Sequence, residues 1–260
     1  MPYFRTSDGV RIKYRVEGEG KPVIFIHGWA ASSNFWYKQV EFFSRLYKIV
    51  TYDLRGHGDS DKPSPGDYSL DRLVEDHVEL CSHLNISHLI VIGHSLGSLI
   101  ALKSYFKLEP SIEKLVLISP PLHTVKAGRL QTALLKLILR SEMISRLLIT
   151  PFLFGPKTEK GIIEFVRSES TKASKYALVE CLRNTSYPNL LQDLAKVNVP
   201  VLIFYGGYER LVSKMEIEKL SEVRNVKTIV LREAGHNLML EKPDEFNRLL
   251  KDFLAGKLES

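Results

Sequence analysis

Leu89-Ile90-Val91-Ile92-Gly93-His94-Ser95-Leu96-Gly97 is the stretch on which the reading of this chain turns. Its first four residues are apolar, mostly β-branched and without polar alternation, which predicts a short strand buried on both faces. A helical pattern begins at Leu96 and runs to Phe106. Gly93-His94-Ser95-Leu96-Gly97 therefore falls on the turn between strand and helix. A Gly-x-Ser-x-Gly string means little in an arbitrary loop, because glycine and serine are common there. On a strand-turn-helix junction it places the serine on a strained turn, with small residues two places either side to avoid collision with neighbouring backbone.

Similar apolar runs lie outward in both directions, at residues 23–26 and 49–52 upstream and at 115–118, 201–205 and 228–231 downstream. Helical patterns separate them. Leu73, His77, Leu80, Cys81 and Leu84 make one stripe over residues 70–84, and Pro243 opens a final helix that reaches about Leu254. At the start, residues 3–6 and 11–16 flank Asp8-Gly9, which predicts an antiparallel hairpin on a two-residue turn. Such alternation predicts an α/β fold, a mostly parallel, doubly wound sheet of eight strands flanked by helices.

The rhythm breaks between Pro120 and Asn189, where no run reads as a strand. Leu130, Leu134, Leu137 and Ile138 form one helical stripe and Met143, Ile144, Leu147 and Leu148 another, with Pro120-Pro121 and Tyr187-Pro188 near the two ends. The expected organisation is a core of residues 1–119 and 190–260, with residues 120–189 inserted between strands six and seven as a helical cap.

Composition sets the outer bounds. The chain has 260 residues, 44% hydrophobic and 25% charged, enough to bury roughly three quarters of its unfolded surface without a metal or disulfide. Cys81 and Cys181 stand far apart in no CxxC pairing, so buried reduced thiols are expected rather than a zinc site or a disulfide framework. No apolar stretch approaches the ~18 residues of a membrane span, and a cytoplasmic protein without stable membrane insertion is expected. The sequons at Asn85 and Asn184 then carry no glycan. A net charge of +6 without a zinc-finger, basic-helix or aromatic RNA-binding signature points to no nucleic-acid partner.

Serine is a poor nucleophile at neutral pH and needs a base, itself oriented by an acid. His236, in the Glu233-Ala234-Gly235-His236-Asn237 loop between the last strand and the last helix, lies at the end of the sheet where ligands bind in such folds. Glu209 is the only acid in the turn after the strand at residues 201–205. The chain order nucleophile, acid, base favours it over an ordinary exposed glutamate. Two backbone amides are needed for an oxyanion, one from Leu96 after the serine and one from Trp29 in His27-Gly28-Trp29, where Gly28 is expected to let the chain turn. The side chains of His27 and Trp29 are expected only to pack.

With these residues in place, the chain resembles the α/β-hydrolase fold superfamily, in its group of serine hydrolases and carboxylesterases with a helical cap. The resemblance covers nearly the whole length. It rests on His27-Gly28, Asp53-Leu54-Arg55-Gly56-His57-Gly58-Asp59-Ser60, the serine turn, and Gly235-His236 followed by Glu241-Lys242-Pro243. It implies a structural role for Asp53 and Arg55, no metal or organic cofactor, and acyl transfer through a covalent acyl-serine. Dehalogenases and epoxide hydrolases of similar sequence carry aspartate where Ser95 stands, so those activities are not expected. The family most often has aspartate where this chain has Glu209. Its other acid position, after the strand at 115–118, holds Ser119 here, which leaves Glu209 favoured over Glu233.

Substrate class is left open between carboxylesters, carrier-protein-linked esters, lactones and carbon–carbon bonds, and a small-molecule receptor on the same fold is the non-enzymatic reading. Residues 120–189 hold eleven Lys and Arg against five Glu, an excess equal to the whole net charge. That excess is either a solvated helix face or an attractor for an anionic partner, such as an acidic carrier protein or a membrane surface.

Overall fold

All eight predicted strands form in the computed structural model, which describes residues 2–122, 124, 127–141, 152–185, 187 and 189–258. They are β1 (Tyr3–Arg5), β2 (Arg11–Glu17), β3 (Pro22–Ile26), β4 (Lys48–Tyr52), β5 (Leu89–His94), β6 (Ile112–Ile118), β7 (Val201–Gly206) and β8 (Val226–Leu231). Their order across one sheet is β1-β2-β4-β3-β5-β6-β7-β8. β1 and β2 run antiparallel at one edge, and β3 to β8 are parallel. Every residue of β5 and of β7 is buried, as runs without polar alternation require.

The helices on the sheet are α1 (Tyr37–Phe43), α2 (Leu70–His83) and α3 (Leu96–Leu108). Between β6 and β7 come α4 (Arg129–Ile138), α5 (Lys160–Ser170), α6 (Lys175–Asn184) and α7 (Leu190–Leu194), followed by α8 (Lys214–Lys219), α9 (Leu238–Glu241) and α10 (Pro243–Leu254). Two apolar cores result because side chains alternate across each strand. Ile24, Val91 and Leu117 face a core shared with α2 and α3. Phe25, Ile92 and Val116 face one shared with α1 and α10. Cys81 and Cys181 are both free and buried, and burial pushes each thiol up to about 12.

Two expectations need correction. The first hairpin forms, but its turn has three residues: the Thr6 amide donates to Val10 and the Gly9 amide to Thr6, each at 2.9 Å, with Gly9 at φ +88°. A glycine in the left-handed region adds one bulged residue to such a turn. That turn presents Asp8 to the wholly buried Arg55, which also clamps Asp76 of α2 through two bonds of 2.6 and 2.7 Å. Secondly, the stretch before β7 is not wholly free of strand pairing, since Thr124 and Tyr187 form an antiparallel bridge. The stripe on α4 forms on a helix as expected but faces outward, with Leu130, Leu134 and Leu137 83, 56 and 55% exposed. Met143, Ile144, Leu147, Leu148, Lys126, Glu142, Arg146 and Pro188 lie outside the described residues. Among the described residues, no helix is long and apolar enough to cross a membrane.

Candidate active site

Ser95 joins β5 to α3 at φ +52°, ψ −114°, a conformation that side chains adopt only under constraint. The constraint is visible on both sides. The Ser95 amide donates to Ile118 on β6 at 2.8 Å, and Ser98 Oγ donates to the Gly93 carbonyl at 2.7 Å, folding the helix start back on the strand end. A Cβ on Gly93 would overlap the Gly97 carbonyl, and one on Gly97 would overlap the Ile26 carbonyl. These glycines are required for space, and the left-handed residue is the serine itself. Gly28 is likewise a matter of space: a Cβ there would lie 3.1 Å from both His94 Nδ1 and Ser95 Cβ.

His236 follows β8, and Glu209 follows β7. Their hydrogen bond joins the two loops: His236 Nδ1 lies 2.9 Å from Glu209 Oε2, with the side chains 6 and 1% exposed. A carboxylate only accepts, so Nδ1 carries the proton and Nε2 presents a lone pair. Glu209 Oε1 meanwhile accepts from the amides of Arg210 and Leu211, each at 2.9 Å. Burial alone would raise this carboxyl, but bonds from His236, the Leu211 amide and the Ser119 hydroxyl outweigh it and bring it down to about 2. Glu233 is placed elsewhere. It is exposed and paired with Lys157 and Lys242, each at 2.9 Å.

Ser95 and His236 line one cavity of about 680 Å³, together with Trp29, His94 and, from the segment between β6 and β7, Phe154 and Leu178. Its wall is mostly apolar. The amides of Trp29 and Leu96 donate to no acceptor among the described residues. The Trp29 side chain does more than pack, because its indole donates to the Leu178 carbonyl of α6 at 2.9 Å. His27 is wholly buried and accepts from the Leu54 amide at 2.9 Å.

Two residues of this neighbourhood escaped the reading of the sequence. His94, at the first variable position of the pentapeptide, is buried, and burial holds its imidazole down to about 3. Its Nε2 donates to the His236 carbonyl at 3.0 Å. Ser119, at φ +46°, stands 3.2 Å from that same carbonyl and bonds the Glu209 carboxylate. A serine at the alternative acid position was visible, but its contacts depend on how β6 ends beside β7. Glu241 accepts from the Gly235 amide at 3.0 Å and the Gly155 amide at 2.8 Å, tying the His236 loop to the inserted segment. Asp53 accepts from Ser33 and Asp59 amides, at 2.7 and 2.9 Å, and so braces the loop after β4. Among the described residues, no group of three His, Cys, Asp or Glu side chains is placed to hold a metal ion.

Residues 21–146 match the family model described as alpha/beta hydrolase fold. A non-heme chloroperoxidase from Streptomyces lividans is 30% identical over 96% of this chain and 98% of its own. An esterase from Exiguobacterium antarcticum superposes with a TM-score of 0.87 at 22% identity, covering 97% of this chain and 98% of that one. A thermophilic esterase from Thermogutta terrifontis superposes with a TM-score of 0.86 at 20% identity over 99% of each chain.

Proposed function

The chain belongs to the α/β-hydrolase fold family, and on that premise we propose that it is a serine hydrolase cleaving a carboxylic ester or related acyl bond through Ser95, His236 and Glu209. The observation that carries the reading is the 2.9 Å bond from His236 Nδ1 to Glu209. It leaves Nε2 as the only basic position of an imidazole that lines the same cavity as Ser95. His236 takes the Ser95 proton as Oγ attacks the substrate carbonyl, and the Glu209 carboxylate stabilises the imidazolium that forms. The amides of Trp29 and Leu96 receive the developing oxyanion. His236 then returns the proton to the leaving alcohol, and the acyl-serine is released by water activated in the same way.

Residues 120–189 act in this reading as a cap that encloses a small-molecule ester above the sheet. The relative named as a non-heme chloroperoxidase favours a second reading for the last step, with hydrogen peroxide replacing water so that a peracid leaves. A fluorophosphonate probe followed by peptide mass spectrometry, with a panel of p-nitrophenyl esters of increasing chain length, tests the proposal. Labelling of Ser95 with measurable turnover is expected. Labelling of another serine, or no turnover of any ester, overturns it, and peracid formation with added peroxide decides between the acceptors.

A further inference from the structure

Among the described helices between β6 and β7, α4 is the one that the fold leaves half outside. Only Thr132 of its ten residues is buried. Leu130, Leu134 and Leu137 point away from the molecule as one continuous stripe, and a helix with such a stripe normally buries it. The cations are arranged about this stripe rather than scattered. At about 100° per residue, Arg129, Lys136 and Arg140 fall within roughly 40° of one another along one flank of the leucines. No Asp or Glu occurs in the sequence between Glu113 and Glu142. Helix stability does not explain Arg129, which stands at the first position of α4 with no acid in the first turn, where a positive charge opposes the helix dipole.

An outward apolar stripe flanked by cations, on a helix that itself holds no Asp or Glu, is the pattern of a helix that lies in the plane of a lipid surface. We propose that α4 docks this protein peripherally on an anionic lipid bilayer, with Leu130, Leu134 and Leu137 entering the headgroup boundary and Arg129, Lys136 and Arg140 meeting the headgroups. Charge complementarity selects this occupant over a neutral membrane. The C-terminal end of α4 adjoins the cavity, which Leu139 and Arg140 line together with the exposed Phe152, Leu182 and Leu211.

The test is flotation of the full-length chain with vesicles of phosphatidylcholine alone and of phosphatidylcholine mixed with phosphatidylglycerol. Binding to the mixed vesicles alone, weakened by added salt, is expected. Arg129→Gln and Lys136→Gln should each weaken it about fivefold. Leu130→Gln with Leu134→Gln should weaken it more than about tenfold. All of these variants should keep the wild-type melting temperature and turnover of a soluble ester, since none of the four residues lines the cavity. Absence of binding to anionic vesicles overturns the proposal, as does equal binding to neutral ones. A solution dimer that the leucine variants dissociate also overturns it, by giving the stripe to a second copy of the chain. Flotation does not depend on turnover, so failure here and failure of the hydrolase reading are separate results.

Discussion

Helices α2 and α4 carry the same kind of leucine stripe and meet opposite surroundings. Leu73 and Leu80 of α2 are wholly buried against β4 and α3, whereas Leu130, Leu134 and Leu137 of α4 stand more than half exposed. The ties beneath them differ as well. α2 is fixed through Asp76 to buried Arg55, and the later inserted helices are pinned to the core by Glu169 on Ser32 and Asn34 and by the Trp29 indole on Leu178. α4 is attached on its entry side by the bond from the Ala127 amide to Leu182, at 3.1 Å, within the inserted segment itself. Amphipathic spacing thus tells which side chains share a face and says nothing of what covers that face. The candidate active site is carried by loops of the sheet.

Changes at the sheet-borne loops should therefore stop turnover. Ser95→Ala should lower kcat by about 10⁴-fold or more while leaving the melting temperature within a few degrees, because only a hydroxyl is removed. Glu209→Gln should lower kcat by roughly 10²–10⁴ with little change in KM, since the imidazolium loses its counter-charge. Comparable ester kinetics for Glu209→Gln and wild type would remove Glu209 from the mechanism.

The buried side of the comparison can be broken at Arg55. Arg55→Met takes both of its bonds from Asp76, which is 1% exposed, and leaves that carboxylate to Arg72 alone, so it should cost about 2–3 kcal/mol in urea unfolding. A loss under 1 kcal/mol would mean that the network is not holding α2 and the first hairpin to the sheet.

Much of this division was legible in the residues. Unalternating runs such as Val201-Leu202-Ile203-Phe204 announced buried parallel strands, and the order of Ser95, Glu209 and His236 announced which loops meet, because β5, β7 and β8 deliver their loops to one end of the sheet. His94 and Ser119 were not legible. Each acts through the His236 carbonyl, a contact between β5, β6 and the loop after β8 that no local pattern encodes. The fate of the α4 leucines was hidden for the converse reason: periodicity is local, and burial is a property of neighbours.

Acid should expose the buried histidines in bulk. Burial holds His57, His77 and His94 each to about 3, against an ordinary 6.5, so the fold excludes three protons that the unfolded chain accepts. Stability is then full above pH 6.5 and falls as pH drops from there toward 3, by up to about 1.4 kcal/mol per pH unit for each ring. Glu209 adds to the loss at lower pH. Its carboxyl, brought down to about 2 by bonds that the unfolded chain lacks, contributes above pH 4.5 and ceases to as pH falls toward 2. Thermal melts across pH 8 to 4 check the first window, and a flat profile would show that the rings are hydrated.

The smallest effect belongs to α4. Deleting a buried leucine costs about 2–5 kcal/mol, through lost transfer energy and the cavity that remains, and Leu73→Ala on α2 should fall in that range. Leu134→Ala removes the same atoms from a site where they already meet water, so neither cost arises, and alanine has the higher helix propensity. Its unfolding free energy should stay within about 0.5 kcal/mol of wild type, as for surface substitutions in general. The pair of variants compares like with like, since both begin as a leucine inside an α-helix and end as alanine. Equal destabilisation in urea melts would show that α4 packs in solution against something the fold described here does not supply, and the contrast between the two helices would collapse.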